Sequence, residues 1–121
     1  IKALELLLKH GREKIREGRW VIIFPEGTRM APGESGAFHP GGAMLAVKAK
    51  VPITPVAHDA GLYWGKRSFL KKSGVVRVKI GPPISTENKK ARAVNEEARE
   101  WIENSMTLLL KAPEKRINLQ K

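Results

Sequence analysis

Apolar positions recur along the chain with two different periods, and the switches between them mark alternating helices and strands. Leu4, Leu7, Leu8, Gly11 and Ile15 keep helical spacing, and Gly18 stands where a left-handed cap would end that helix. Trp20, Val21, Ile22, Ile23 and Phe24 then form an unbroken run of β-branched and aromatic side chains, as expected of a strand buried on both faces of a sheet. Pro25 ends the run, because proline cannot donate to a sheet ladder. Residues 30–40 are rich in glycine and proline and read as an irregular loop. A short helix is predicted over 41–50, with Pro40 near its first turn and the small residues Gly41, Gly42, Ala43 and Ala46 permitting close packing.

A second strand is predicted over 53–57, with Pro52 and Pro55 marking its ends or an edge position. Val75, Val76, Val78 and Ile80 predict a third. There Arg77 and Lys79 alternate with the apolar residues, so one face should be buried and the other wet and basic. Gly81, Pro82 and Pro83 stop that strand. The last element, over 91–111, puts Val94, Ala98, Trp101, Ile102, Ser105 and Leu109 on one face and is bounded by Pro113. This alternation predicts an α/β fold with a mainly parallel or mixed sheet and flanking helices.

The 121 residues fall within the usual size of one domain, with residues 1–112 in its core and 113–121 as a polar tail. There is no cysteine, which excludes disulfides and thiolate metal sites. The three histidines lack ligand spacing, so no metal and no cofactor is expected. No stretch approaches the roughly 18 to 20 apolar residues that cross a bilayer.

The formal net charge of +11 changes the picture of partners, since such an excess attracts anionic surfaces and is not needed for folding. Lys66, Arg67, Lys71, Lys72, Arg77, Lys79, Lys89, Lys90 and Arg92 lie in a segment whose one acid is Glu87. Leu62, Tyr63, Trp64, Phe69 and Leu70 are interleaved with the first of them. Aromatic side chains settle at the headgroup level, and each basic residue near an anionic leaflet contributes about 1 kcal/mol, so an anionic membrane surface fits. No helix-turn-helix, zinc-finger or RNP-type pattern accompanies the charge, and a nucleic-acid partner is not expected.

Candidate chemistry concentrates directly after the first predicted strand. Phe24, Pro25, Glu26, Gly27, Thr28 and Arg29 place an acid, a hydroxyl and a guanidinium at a strand end, where open α/β folds hold ligands. Gly27 allows a turn or the close approach of a ligand to the backbone. Arg29 offers a rigid fork of donors that matches phosphate oxygens. Other groupings are less suited to catalysis. His58 and Asp59 are strand neighbours that point to opposite faces. Residues 33–37 miss the Gly-x-Ser-x-Gly elbow at its last position.

The six residues 24–29 resemble the third motif of the glycerophosphate acyltransferase family. The likeness continues through Gly36, Ala37, Phe38 and His39 to Gly41 and Gly42. Val51, Pro52, Ile53, Thr54, Pro55 and Val56 then resemble the family's fourth motif. It implies a partial glycerol-3-phosphate-acyltransferase-like fold. It also implies transfer of an acyl group from a thioester to the sn-2 hydroxyl of 1-acylglycerol 3-phosphate, giving phosphatidate. Glu26, Gly27, Thr28 and Arg29 would then bind the acceptor, and Ile53 and Pro55 would line the acyl chain or support the sheet end. The co-substrate would be an acyl-CoA or acyl carrier protein thioester, and the place of work the cytoplasmic face of the cell membrane. The family's catalytic His-x-x-x-x-Asp motif is absent, since His10, His39 and His58 are followed five positions on by Ile15, Met44 and Tyr63. The chain therefore reads as a C-terminal portion, with the catalytic pair expected upstream of Ile1 and this piece inactive alone. A non-catalytic module for anionic lipid, and a basic nucleic-acid-binding α/β domain, are the alternatives.

Overall fold

A computed structural model describes residues 2–26, 38–60 and 74–111. Helix α1 spans Lys2–Arg16, with Leu4, Leu7, Leu8 and Ile15 half-buried and Gly11 buried. Its end is a Schellman motif. Gly18 takes a φ of +79°, its N–H reaches the Ile15 carbonyl at 3.0 Å, and the Arg19 N–H reaches the Lys14 carbonyl at 3.0 Å. Helix α2, Gly41–Ala49, crosses α1 closely because small residues face it. A Cβ on Gly11 would lie 2.5 Å from Leu45 Cδ2, and one on Gly41 would lie 2.9 Å from Leu7 Cδ2. Lys50 ends α2 in the left-handed region at φ 56°, with the Lys50 and Val51 N–H groups donating to Val47 and Ala46 carbonyls.

Strands β1, Val56–His58, and β2, Val78–Ile80, pair antiparallel with Val56 opposite Ile80 and His58 opposite Val78. An isolated bridge joins Ile53 to Ile84. From 53 to 56 the first strand advances three residues while the second advances four from 80 to 84, so Gly81, Pro82 and Pro83 absorb one extra residue as a bulge. The α/β character is as expected, and the ladder among the described residues is an antiparallel pair. The cause lies at the base of the excursion between the strands. Asp59 and Arg77 bond each other there, so the chain must return beside itself instead of crossing over.

The facing of β2 is also the reverse of the sequence expectation. Its apolar residues are open, with Val78 57% and Ile80 68% exposed, while the basic side chains turn toward α3. Helix α3, Ala91–Lys111, supplies the reason. The Lys79 ammonium lies 5.9 Å from the Trp101 ring centroid. The Arg77 guanidinium bonds Asp59 Oδ2 through Nε at 2.6 Å and the Leu109 carbonyl through Nη2 at 2.5 Å. Two specific partners outweigh the burial of two short strand residues. Val94, Ala98, Ile84 and Ala43 form the core under α2 and α3, with Val47, Ile53 and Ala91 packed against it. The tail 113–121 and its boundary lie outside the described residues.

Candidate functional site

Residues 20–24 are delivered to the site by the cap at Gly18, which reverses the chain out of α1. Their exposure alternates as in a strand. Trp20 is 91% exposed, Ile22 80% and Phe24 70%, whereas Ile23 is half-buried. Ile23 rests on α2, where a Cβ on Gly42 would meet its Cδ1 at 3.2 Å. The expected strand buried on both faces is not formed among the described residues, and the segment is covered on one side only. Among the described residues none pairs with 20–24 in a ladder, and a strand without neighbours leaves its outer side chains in solvent.

The site itself opens at Pro25. The His39 N–H donates to the Pro25 carbonyl at 2.8 Å, so the segment between them leaves and returns at one point. Asn95 on α3 reaches the Phe38 carbonyl through Nδ2 at 3.5 Å, a long contact that tethers the return weakly. Glu26 is the first residue of this closed segment. It is half-buried and makes no hydrogen bond or ion pair among the described residues, which leaves its carboxylate available as an acceptor. Gly27, Thr28 and Arg29 lie outside the described residues.

Ile53 and Pro55 stand on β1's approach. Ile53 exchanges both backbone hydrogen bonds with Ile84, at 3.0 and 2.6 Å, and packs on the core. Pro55 is buried, and its Cγ would lie 3.0 Å from a Cβ on Gly81. Both positions lie at the end of the β1–β2 pair. His58 is exposed and accepts the Ala60 N–H at Nδ1, at 3.2 Å, while Asp59 points inward, so the pair does not form a catalytic dyad.

One constellation was missed in the sequence. Asp59 is fully buried, with its carboxylate held by the Arg77 N–H at 2.7 Å and the Arg77 guanidinium, which also bonds the last turn of α3. This latch ties β1, β2 and α3 together, and it takes Arg77 off the proposed membrane surface. Lys89 is likewise engaged, 3.0 Å from Glu97. The one available signal was an aspartate at the end of an apolar strand, which needs a partner wherever it is buried. Among the described residues no cluster of histidine, aspartate and glutamate could hold a metal ion. No described helix is long and apolar enough to cross a membrane.

Comparison with known proteins adds four likenesses. The family profile described as Acyltransferase matches residues 2–59. A 1-acyl-sn-glycerol-3-phosphate acyltransferase of Pseudomonas aeruginosa is 44% identical over 107 residues, which make up 86% of this chain and 42% of that protein. The human 1-acyl-sn-glycerol-3-phosphate acyltransferase beta is 37% identical over 86 residues, 69% of this chain and 31% of that one. Among solved structures, the 1-acyl-sn-glycerophosphate (LPA) acyltransferase PlsC of Thermotoga maritima superposes with a TM-score of 0.80 at 27% identity, covering 89% of this chain and 46% of the other. The chain thus spans less than half the length of these relatives.

Proposed function

The chain belongs to the acyltransferase family, and on that premise we propose that it forms the acceptor-binding part of an enzyme that acylates 1-acylglycerol 3-phosphate to phosphatidate. The observation that supports the reading is the placement of Phe24, Pro25 and Glu26, the first three residues of the 24–29 motif. An extended segment resting on α2 ends at Glu26, and the Pro25–His39 hydrogen bond holds both ends of the motif loop at that point. Arg29 grips the acceptor phosphate, and Glu26 accepts hydrogen bonds from the glycerol part or from local backbone donors. Thr28 adds a hydroxyl donor, and Gly27 lets the ligand approach. Ile53 and Pro55 hold the sheet end that carries the site.

In the whole enzyme a histidine upstream of Ile1 takes the proton of the sn-2 hydroxyl, and its aspartate partner holds the imidazole. The oxygen attacks the thioester carbonyl, the C–S bond breaks, and the thiolate of the acyl-CoA or acyl carrier protein leaves. The remaining length of the domain seats on the open side of 20–24 and of β1–β2, which brings that histidine to the motif. Association with the cytoplasmic face of the cell membrane rests on the overall charge of +11 and on the lipid acceptor. Glu26, Gly27, Thr28 and Arg29 are tested by turnover of lysophosphatidate. Arg29→Ala in the whole enzyme is expected to cost about 2–4 kcal/mol in kcat/KM, or roughly 30-fold to 1000-fold. Equal turnover at subsaturating acceptor in variant and wild type would sink the phosphate grip. The 121-residue chain alone is expected to show no acyl transfer.

A further inference from the structure

The cleft between the C-terminal halves of α1 and α2 collects five cations. Lys9, Arg12 and Arg16 follow one another on a single stripe of α1, and Lys48 and Lys50 come from the last turn and the cap of α2. They line two adjoining cavities of about 280 and 200 Å³, and Arg12, Arg16 and Lys48 border both. None of the five is ion-paired or hydrogen-bonded through its side chain among the described residues. Of the neighbouring carboxylates, Glu13 also lines the larger cavity, 3.7 Å from His10 Nδ1, and Glu17 is held by Lys14 and Arg19 at 3.5 and 3.2 Å, so the lining keeps an excess of positive charge.

Two physical points separate this cleft from an ordinary solvated surface. Clustered like charges repel one another and oppose folding unless an anion sits among them. Moreover, Lys50 holds a φ of 56°, in the left-handed region where a side chain is disfavoured and glycine is the usual choice. The equivalent cap of α1 uses Gly18. The second helix therefore carries a charge where the backbone would favour glycine. Position also sets the cleft apart from the acceptor motif. Gly42, beside Ile23, and Lys48 are six residues apart on α2, which is about 9 Å along the axis.

We infer that the α1–α2 cleft binds a phosphate-bearing anion of headgroup size, with Arg12 and Arg16 forking its oxygens and Lys48 and Lys50 neutralising it. The cavities are smaller than the roughly 300–1,000 Å³ pockets that enclose drug-sized ligands, which suits a compact polyanion. Such a phosphate comes either from an anionic lipid headgroup or from a free phosphorylated molecule. The inference does not depend on acyl transfer.

Isotope-labelled full-length chain is titrated with inorganic pyrophosphate and followed by amide resonances. Saturable shifts are expected at Arg12, Arg16, Lys48 and Lys50, with a Kd read at those amides at least tenfold weaker in the Arg12→Gln/Lys48→Gln pair. Lys50→Gly is expected to bind more weakly while melting a few degrees higher, an opposition that a purely structural role would not produce. Vesicles of phosphatidylcholine containing phosphatidate that displace pyrophosphate from the same amides identify a lipid headgroup as the source. Binding of pyrophosphate without such displacement identifies a free phosphorylated molecule. Shifts spread over all basic residues without saturation, or wild-type affinity in both Lys50→Gly and the Arg12→Gln/Lys48→Gln pair, overturn the proposal.

Discussion

The helix-facing side of residues 20–24 and of β1–β2 mixes apolar with basic residues, the side turned away is almost wholly apolar, and the two meet opposite surroundings. Toward the helices, Ile23 lies against Gly42, Ala57 is buried, and Lys79 stacks on Trp101. On the far side Trp20, Ile22, Phe24, Val56, Val78 and Ile80 are open to solvent. Covering six such side chains is worth on the order of 10 kcal/mol, as much as the whole stability of an ordinary domain. Function follows the same division. The helix side fixes where Glu26 stands, at the start of the loop proposed to bind the acceptor, and the open side is the seat proposed for the rest of the enzyme.

Substitutions can test that contrast. The largest loss in this chain is expected on the packed side, at Asp59→Ala, which leaves the Arg77 guanidinium without its buried partner and costs about 3–5 kcal/mol by urea denaturation. The double change Asp59→Leu/Arg77→Met should recover most of that loss, since a buried pair can be exchanged for apolar packing. A double variant as unstable as the single would show that the latch does more than satisfy its own charges. Next comes Gly81→Ala. Its Cβ would stand 2.6 Å from Cε2 and Cζ2 of Trp101, a rigid ring, so about 1–3 kcal/mol of overpacking is expected in thermal unfolding.

Gly11→Ala should cost less than Gly81→Ala. Its close contacts are with the flexible end of Leu45, and alanine regains about 1 kcal/mol of helix propensity. Smallest of all, Ile22→Thr and Ile80→Thr on the open side should stay within about 0.5 kcal/mol in this chain. In the whole enzyme the same two changes should each cost more than 1 kcal/mol, because there the side chains are covered. Equal effects in the two settings would break the contrast between the sides.

Much of this architecture was legible in the residues. The helical spacing of Leu4, Leu7, Leu8, Gly11 and Ile15 gave α1, Gly18 gave its cap, and the apolar stripe from Val94 to Leu109 gave α3, because helical periodicity and cap chemistry are local properties. The motif 24–29 was legible as a family likeness, since that rests on residue types in immediate succession, and Phe24, Pro25 and Glu26 of it lie among the described residues. The sides of β2 were not. A strict alternation of valine with arginine and lysine looks alike whichever face is inward, and only the positions of Asp59, Trp101 and Leu109 turn the basic residues toward the helix.

What the sequence determined alone was therefore the order of the elements and the likeness to the acyltransferase family. Tertiary structure decided which strand face is covered, that β1 and β2 run antiparallel, and that Arg77 belongs to a latch and not to a lipid-facing surface. The physical reason is range. Propensity, capping and motif chemistry act between residues a few positions apart, whereas burial and charge pairing depend on groups that meet only after the chain has folded, such as Asp59 with an arginine 18 residues away and a helix end 32 residues beyond that.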